Sequence, residues 1–317
     1  MPDIADHLAA WGMASVPRQL MATRENTVYR VETPQGPAAL RLRRPGLRSH
    51  AEIQSELQWM AALNEADLIV PRPIPTRNGL YTHEADGIVA DMVGWLEGSP
   101  MGIDGALMDV PDLVDRYHAL GASAARLHDV SYAWAGAASV CRPSWDAEGL
   151  LGDAPLWGRF WENPSLTAAE QSLIWTARTR ALQHLNALSD ALDFGLIHAD
   201  LTPENVIFGP NGPAIIDFDD GGWGFRAFEL ATIANRAVRR DDGEHLIAAM
   251  LQGYISIRPA DTHALPLFQL LRAFTYLGWI IPRIGEPGGK ERAERFRDFA
   301  NKLARNYLET EGTPHGG

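Results

Sequence analysis

The stretch LIHADLTPENVIFGPNGPAIIDFDD, residues 196–220, carries His198, Asp200 and Asn205 in the order H-x-D-x-x-x-x-N, and Asp217 follows twelve residues after Asn205. These residue types suit phosphoryl transfer, a reaction that demands little covalent chemistry of a protein. It needs a carboxylate to orient the acceptor and receive its proton, and oxygen ligands to hold magnesium on the phosphates. Asp200 fits the first role. Asn205 and Asp217 fit the second, because magnesium prefers oxygen and takes only one or two carboxylates from protein. An isolated Asp or Asn in a loop is usually a turn former or cap. Four required types in order, between apolar runs, are a stronger signal.

The elements that must position them are short. Phe194–Ile197 and Ala214–Phe218 read as buried strands, with a third at Asn205–Phe208 and the turn formers Gly209 to Pro213 behind it. Upstream, the pattern predicts a short helix over 3–11, a strand over 16–23, and strands over 27–33 and 38–43 joined by a turn at Pro34–Pro37. A helix over 49–64 follows, its buried stripe marked by Ile53, Leu57, Met60 and Ala61. Strands are expected near 74–77 and 87–93, and a helix from Asp112 that ends at His128, read as structural. Residues 131–165 have no clear period and read as an irregular insertion whose Trp145, Trp157, Phe160 and Trp161 either shape a pocket or pack in the core. Thr167 and Glu170 make a capping box for a helix to about Leu188. Four helices, near 227–239, 243–257, 264–281 and 289–309, complete the chain.

The 317 residues are enough for two lobes of one domain or for two small domains, with a sizeable core, and 46% hydrophobic with 21% charged residues is the composition of an ordinary globular protein. A formal net charge of -12 argues against extended nucleic-acid binding, which needs concentrated Lys and Arg. It is compatible with a cationic substrate. The single cysteine, Cys141, excludes an internal disulfide and a cysteine metal cluster. The start, MPDIADHLAAWGM, lacks the features of a signal peptide, and the apolar segment Leu265–Ile284 is interrupted by Gln269, Arg272, Arg283 and two prolines, so no membrane span is expected. A cytoplasmic enzyme is the simplest placement.

With HADLTPEN, IIDFDD and its tail GGWGFRAFELA, ENTVYRV, ALRLRRPG and SELQWMAAL, the chain resembles the aminoglycoside phosphotransferase and choline kinase family, across most of Glu25 to Leu230. Its likeness is greatest to the branch of stress-response kinases and type II homoserine kinases. The resemblance implies an α+β, bilobal, protein-kinase-like fold: a nucleotide-binding lobe over 1–94 built on an antiparallel sheet, a hinge at 95–98, and a mainly helical catalytic and substrate lobe over 99–317. It implies ATP and Mg2+ as cofactors and leaves His198 an architectural role.

Further site residues follow from that frame. Arg41 stands where a strand lysine is usual and is expected to meet the phosphates with Glu56 as its partner, whereas Arg43 is assigned to solvent. Thr23–Asn26 occupies the place of a glycine-rich loop without a glycine, so Asn26 and Thr27 are read as covering the nucleotide. Ala39, Val93 and Trp95 belong to the base pocket. Asp219 is a candidate for a second metal, and Glu229 replaces the aspartate of a DLA motif that hydrogen-bonds the catalytic loop. Asp220, Arg272, Trp279 and Arg283 are candidates for acceptor contact. The leading reading is an ATP- and magnesium-dependent phosphotransferase acting on a hydroxyl of a small molecule such as an amino alcohol, sugar or aminoglycoside. A protein Ser/Thr kinase of the stress-response type and a regulatory nucleotide-binding pseudokinase remain open. Acceptor identity, nucleotide preference, metal count and oligomeric state are not legible.

Overall fold

The computed structural model describes residues 4–23 and 26–311. Helix α1 (Ile4–Ala9) precedes three strands, β1 (Arg18–Thr23), β2 (Thr27–Thr33) and β3 (Gly36–Leu42). After α2 (His50–Glu65) come β4 (Thr82–Ala85) and β5 (Ile88–Gly94), and these five strands form an antiparallel sheet in the order β1-β2-β3-β5-β4. The expected strand over 74–77 does not form. Only Pro73 bridges to Val93, and Ile74 donates its amide to the Met92 carbonyl at 2.8 Å, because Pro73 and Pro75 interrupt the supply of donors that a ladder needs.

Strand β3 is buried on both faces. Leu40 and Leu42 point to the core formed with Leu8, Trp11, Val31, Ala38, Ala90 and Met92, while Arg41 and Arg43 are buried on the opposite side. Helix α2 begins at a complete capping box, Ser49 accepting from the Glu52 amide and Glu52 reaching back to the Ser49 amide, so its start is fixed chemically.

Three short strands follow: β6 (Ser99–Pro100), then β7 (Gly102–Ile103) and β8 (Ala106–Leu107), which form a hairpin. Helix α3 (Leu113–Ala133) leads into the segment expected to be irregular, which contains β9 (Ser144–Trp145) and α4 (Ala147–Leu151). Helix α5 (Ala168–Leu188) starts at the Thr167–Glu170 capping box. The strand β10 (Phe194–Ile197) lies in the sheet β10-β13-β9, and β11 (Val206–Gly209) pairs with β12 (Gly212–Ile215) and with β6. The partner of β10, β13 (Gly222–Phe225), carries two glycines and escapes a hydrophobic-run criterion. The remaining helices are α6 (Arg226–Ala234), α7 (Gly243–Ile255), α8 (Leu265–Trp279) and α9 (Gly289–Glu311). Among the described residues no helix is long and apolar enough to cross a membrane.

The chain divides into two compact units. The first comprises residues 1–108, 129–142 and 203–219, and the second 109–128, 143–202 and 220–317. The first unit holds the five-stranded sheet, and the second is mainly helical.

Candidate active site

In the second unit, β10 ends at Ile197 and releases His198, Ala199 and Asp200 into a loop whose backbone is held from two sides. Glu229, fully buried on α6, accepts the His198 amide at 2.6 Å and the Ala199 amide at 3.0 Å. The longer side chain therefore spans both donors that the sequence assigns to an aspartate. Ala199 has φ 63°, a left-handed conformation that costs a residue with a Cβ about 1 kcal/mol or more and persists only where surroundings enforce it. The clamp from Glu229 supplies that enforcement. Burial pushes the Glu229 carboxyl up to about 8, although both amide hydrogen bonds and Arg272 pull it down. Beside it His128 is buried, 3.8 Å from Glu229 and hydrogen-bonded through Nδ1 to Tyr254 at 2.8 Å. Burial and the nearby Arg226 and Arg258 charges hold its pKa well below the usual histidine value. Both groups are driven toward their neutral forms.

From α8, Arg272 closes the other side. Its fully buried guanidinium donates to the Ala199 carbonyl at 3.0 Å, to a carboxylate oxygen of Asp200, and to the Tyr276 hydroxyl at 2.8 Å. It lies 4.2 Å from the Tyr276 ring centroid and 4.8 Å from that of Trp157. Arg272 is thus engaged at once with the side chain of Asp200 and with the backbone before it. Trp279 and Arg283, placed with it on sequence spacing, form a separate stack in which Arg283 lies 4.2 Å over the Trp279 ring and donates to the Trp279 carbonyl at 2.9 Å. Asp220 meets the Trp157 indole N–H at 3.4 Å, and its carbonyl accepts the Trp145 indole N–H at 2.9 Å. Trp145, Phe160 and Trp161 are buried, and Trp157 is partly exposed.

In the first unit a charge cluster forms behind the sheet. Arg41 meets Glu56 at 3.1 Å and Asp91 at 2.7 Å. Arg43 is the correction to the sequence reading. It is buried, not solvated, and pairs with Glu56 at 2.7 Å, with Asp91 at 2.5 Å and with Asp219. The reason is the period of a strand: residues two apart share a face, so an arginine at 43 goes where the one at 41 goes. Burial alone raises the Glu56 carboxyl, but Arg43, Arg41 and Arg142 outweigh it and hold it at about 2. Two members escaped the sequence reading. Asp91 stands directly across the sheet from Arg41, and a lone charge within the apolar run IVADMVG was its signal. Arg142, 3.4 Å from Glu56 and 3.0 Å from the Phe218 carbonyl, lies in a segment with no period to read.

Asp219 accepts from both Arg43 and Asn26, and its backbone carbonyl takes Arg48 at 2.9 Å. Its carboxylate is occupied by protein donors. Thr27 pairs with Thr23 across the β1–β2 turn, whose Arg24 and Glu25 lie outside the described residues. Ala39 and Val93 face each other across β3 and β5, and the Trp95 amide donates to the Pro37 carbonyl at 3.0 Å.

The β11–β12 hairpin brings Asn205 and Asp217 to one end, because Val206 pairs with Ile215 and the Ile216 amide donates to the Asn205 carbonyl at 2.9 Å. Asp217, exposed and at φ 64°, follows immediately. An amide oxygen and a carboxylate are a donor set that fits magnesium, which completes its shell with phosphate and water oxygens. No group of three or more His, Cys, Asp or Glu able to hold a metal occurs among the described residues, so a site made of side-chain clusters alone is not present there.

The model of the phosphotransferase enzyme family matches residues 4–268. A homoserine kinase of Gluconobacter oxydans is 31% identical over 256 residues, covering 76% of this chain and 74% of its own length. The solved structure of a microcompartment-associated aminopropanol kinase superposes with a TM-score of 0.84 at 27% identity, covering 98% of each chain. An amicoumacin kinase shares the fold at a TM-score of 0.75 and 18% identity, over 95% of this chain and 93% of that one.

Proposed function

The chain belongs to the phosphotransferase enzyme family and is a kinase whose acceptor is an alcohol group, and from that premise we propose that it moves the γ-phosphate of ATP, with magnesium, to a hydroxyl of a small molecule. The observation that carries this reading is the hold on Asp200: a buried arginine on one carboxylate oxygen and a loop backbone clamped by Glu229. A carboxylate held in place beside a cation is what a general base for an alcohol requires.

In this reading Asp200 orients the acceptor hydroxyl and takes its proton. Asn205 and Asp217 hold the metal, which when bound neutralises charge on the transferring phosphate oxygens. Arg41, paired to Glu56, faces the nucleotide phosphates, while the backbone of 93–96 receives the base and Asn26 and Thr27 cover the phosphates. Asp219 serves through Arg43 and Asn26 rather than through a second metal. Asp220, Trp157 and Trp279 are assigned to the acceptor side.

The test is transfer from γ-labelled ATP to amino alcohols, sugars, aminoglycosides and mixed cell proteins, with and without magnesium, beside Asp200→Ala. Magnesium-dependent labelling of one small acceptor, reduced about 10²- to 10⁴-fold in the variant, is expected. Label on protein alone, or full turnover by Asp200→Ala, overturns the reading.

A further inference from the structure

A buried polar atom without a hydrogen bond is rare enough to need a cause. His128 on α3 carries one. Its ring is fully buried and its Nδ1 is hydrogen-bonded to the Tyr254 hydroxyl of α7 at 2.8 Å, but its Nε2 has no hydrogen-bond partner. The group beside Nε2 is the Glu229 carboxyl of α6, whose Oε1 lies 3.8 Å away. At that separation no hydrogen bond exists, and a side-chain adjustment of about 1 Å makes one. All three residues are buried and belong to the second unit.

The carboxyl has a use for this neighbour. Each of its oxygens accepts one loop amide, His198 on Oε1 and Ala199 on Oε2. When protonated, its O–H needs an acceptor; when ionised, it gains from a further donor. The charged groups nearby bond elsewhere: Arg272 to Ala199, Asp200 and Tyr276, and Arg226 and Arg258 to Asp193. A neutral imidazole answers both forms, because one ring nitrogen donates while the other accepts and the two exchange roles. Burial, with the charges of Arg226 and Arg258, keeps this imidazole neutral. With Glu229 protonated, its O–H points at Nε2 and Nδ1–H donates to the Tyr254 oxygen. With Glu229 ionised, Nε2–H points at the carboxylate and the Tyr254 O–H donates to Nδ1. We propose that His128 is a positioning residue for the reaction: with Tyr254 answering its other nitrogen, it holds Glu229 in the orientation that clamps the His198 and Ala199 amides, and so sets the loop that presents Asp200. The proposal rests on the phosphotransferase reading above, in which Asp200 is the base. It extends the hold on the left-handed Ala199 backbone from α6 through α3 to α7.

Tyr254→Phe removes one hydroxyl and keeps the ring, so it tests this line of contacts without opening a cavity. It should lower kcat about fivefold, the scale of one buried hydrogen bond, with KM for ATP and for the acceptor unchanged. Amide hydrogen exchange over residues 196–200 should speed up by a similar factor, while exchange in α8 stays as in the native chain. Two changes at His128 separate positioning from packing. His128→Phe keeps a buried ring against Tyr254, where the native ring centroids lie 5.6 Å apart, and loses both nitrogens; His128→Gln loses the ring and keeps a donor and an acceptor. Positioning ranks Gln above Phe in kcat, and packing alone ranks Phe above Gln. Adding Tyr254→Phe to His128→Phe should lower kcat no further, because the contact it removes is already gone. Native kcat or native exchange in Tyr254→Phe, a His128→Phe enzyme faster than His128→Gln, or a full further loss in the double variant overturns the proposal. Exchange is read without any acceptor. Faster exchange at 196–200 in Tyr254→Phe beside full turnover by Asp200→Ala therefore sinks the assignment of the base and upholds the hold of His128 on the loop.

Discussion

Arg272 and Asp200 are joined by a charge-assisted hydrogen bond in which the arginine is wholly buried and the aspartate only partly so. The same guanidinium takes the Ala199 carbonyl, so it fixes both the side chain and the backbone of the loop. Removing it should damage catalysis more than acceptor binding. Arg272→Met is expected to lower kcat about 10²-fold or more and to move the acid limb of the pH–kcat profile upward, because a carboxylate that loses an adjacent cation takes up a proton more readily. Arg272→Lys should restore the position of the limb in part. A pH profile that does not move would show the arginine to be a packing residue.

The β3 arginines allow a comparison of two neighbours. Arg43 makes more ion pairs than Arg41, and its loss leaves Glu56, Asp91 and Asp219 short of a cation. Removing one partner of a buried pair costs about 3–5 kcal/mol, so Arg43→Met should destabilise at least as much as Arg41→Met in urea unfolding followed by circular dichroism. A smaller loss for Arg43 would contradict the structure.

Glu56 gives the network a pH signature. Its folded pKa of about 2 lies below the ordinary value of 4.5, so its contribution is present above 4.5 and is lost as pH falls toward 2. The size is about 3 kcal/mol at the stated shift. Denaturation midpoints measured between pH 5 and 2 should fall less steeply in Glu56→Gln than in the native chain, after allowing for a constant offset.

Glu229 has the opposite sign. A carboxyl raised to about 8 favours the folded state in its protonated form, so stability declines as pH rises from about 4.5 through 8. Glu229→Gln should lack that slope, and its stability relative to the native chain should improve steadily over the interval. A parallel pair of stability curves would show that Glu229 remains ionised throughout.

The second capping box offers a purely local prediction. Thr167 accepts the Glu170 amide and Glu170 returns to the Thr167 amide at 2.8 Å. Thr167→Ala should cost about 1 kcal/mol, read as a lowered midpoint of unfolding with an unchanged slope.

Local chemistry was legible without coordinates. The Thr167 capping box, the three strands that open the chain, the long helices after Asp112 and Thr167, and the late helices follow from spacing, because period and end signals are properties of consecutive residues. The strand β13 was hidden by its glycines, and Pro73 and Pro75 prevented the strand expected at 74–77. The order of Asp200, Asn205 and Asp217 pointed to phosphoryl transfer and to a family, and the family match agrees.

What spacing alone left open is which groups meet across the fold. The sequence set Arg41 and Arg43 on one face of a strand, yet only the approach of α2 and β5 decided that both are buried and that Asp91 completes the cluster. Arg272, read from its position on a helix as a candidate for acceptor contact, meets Asp200, because α8 carries it to the loop after β10 through a contact 72 residues apart in the chain. A residue's chemistry is written in its side chain, but its partner is chosen by packing between segments that no short-range pattern relates.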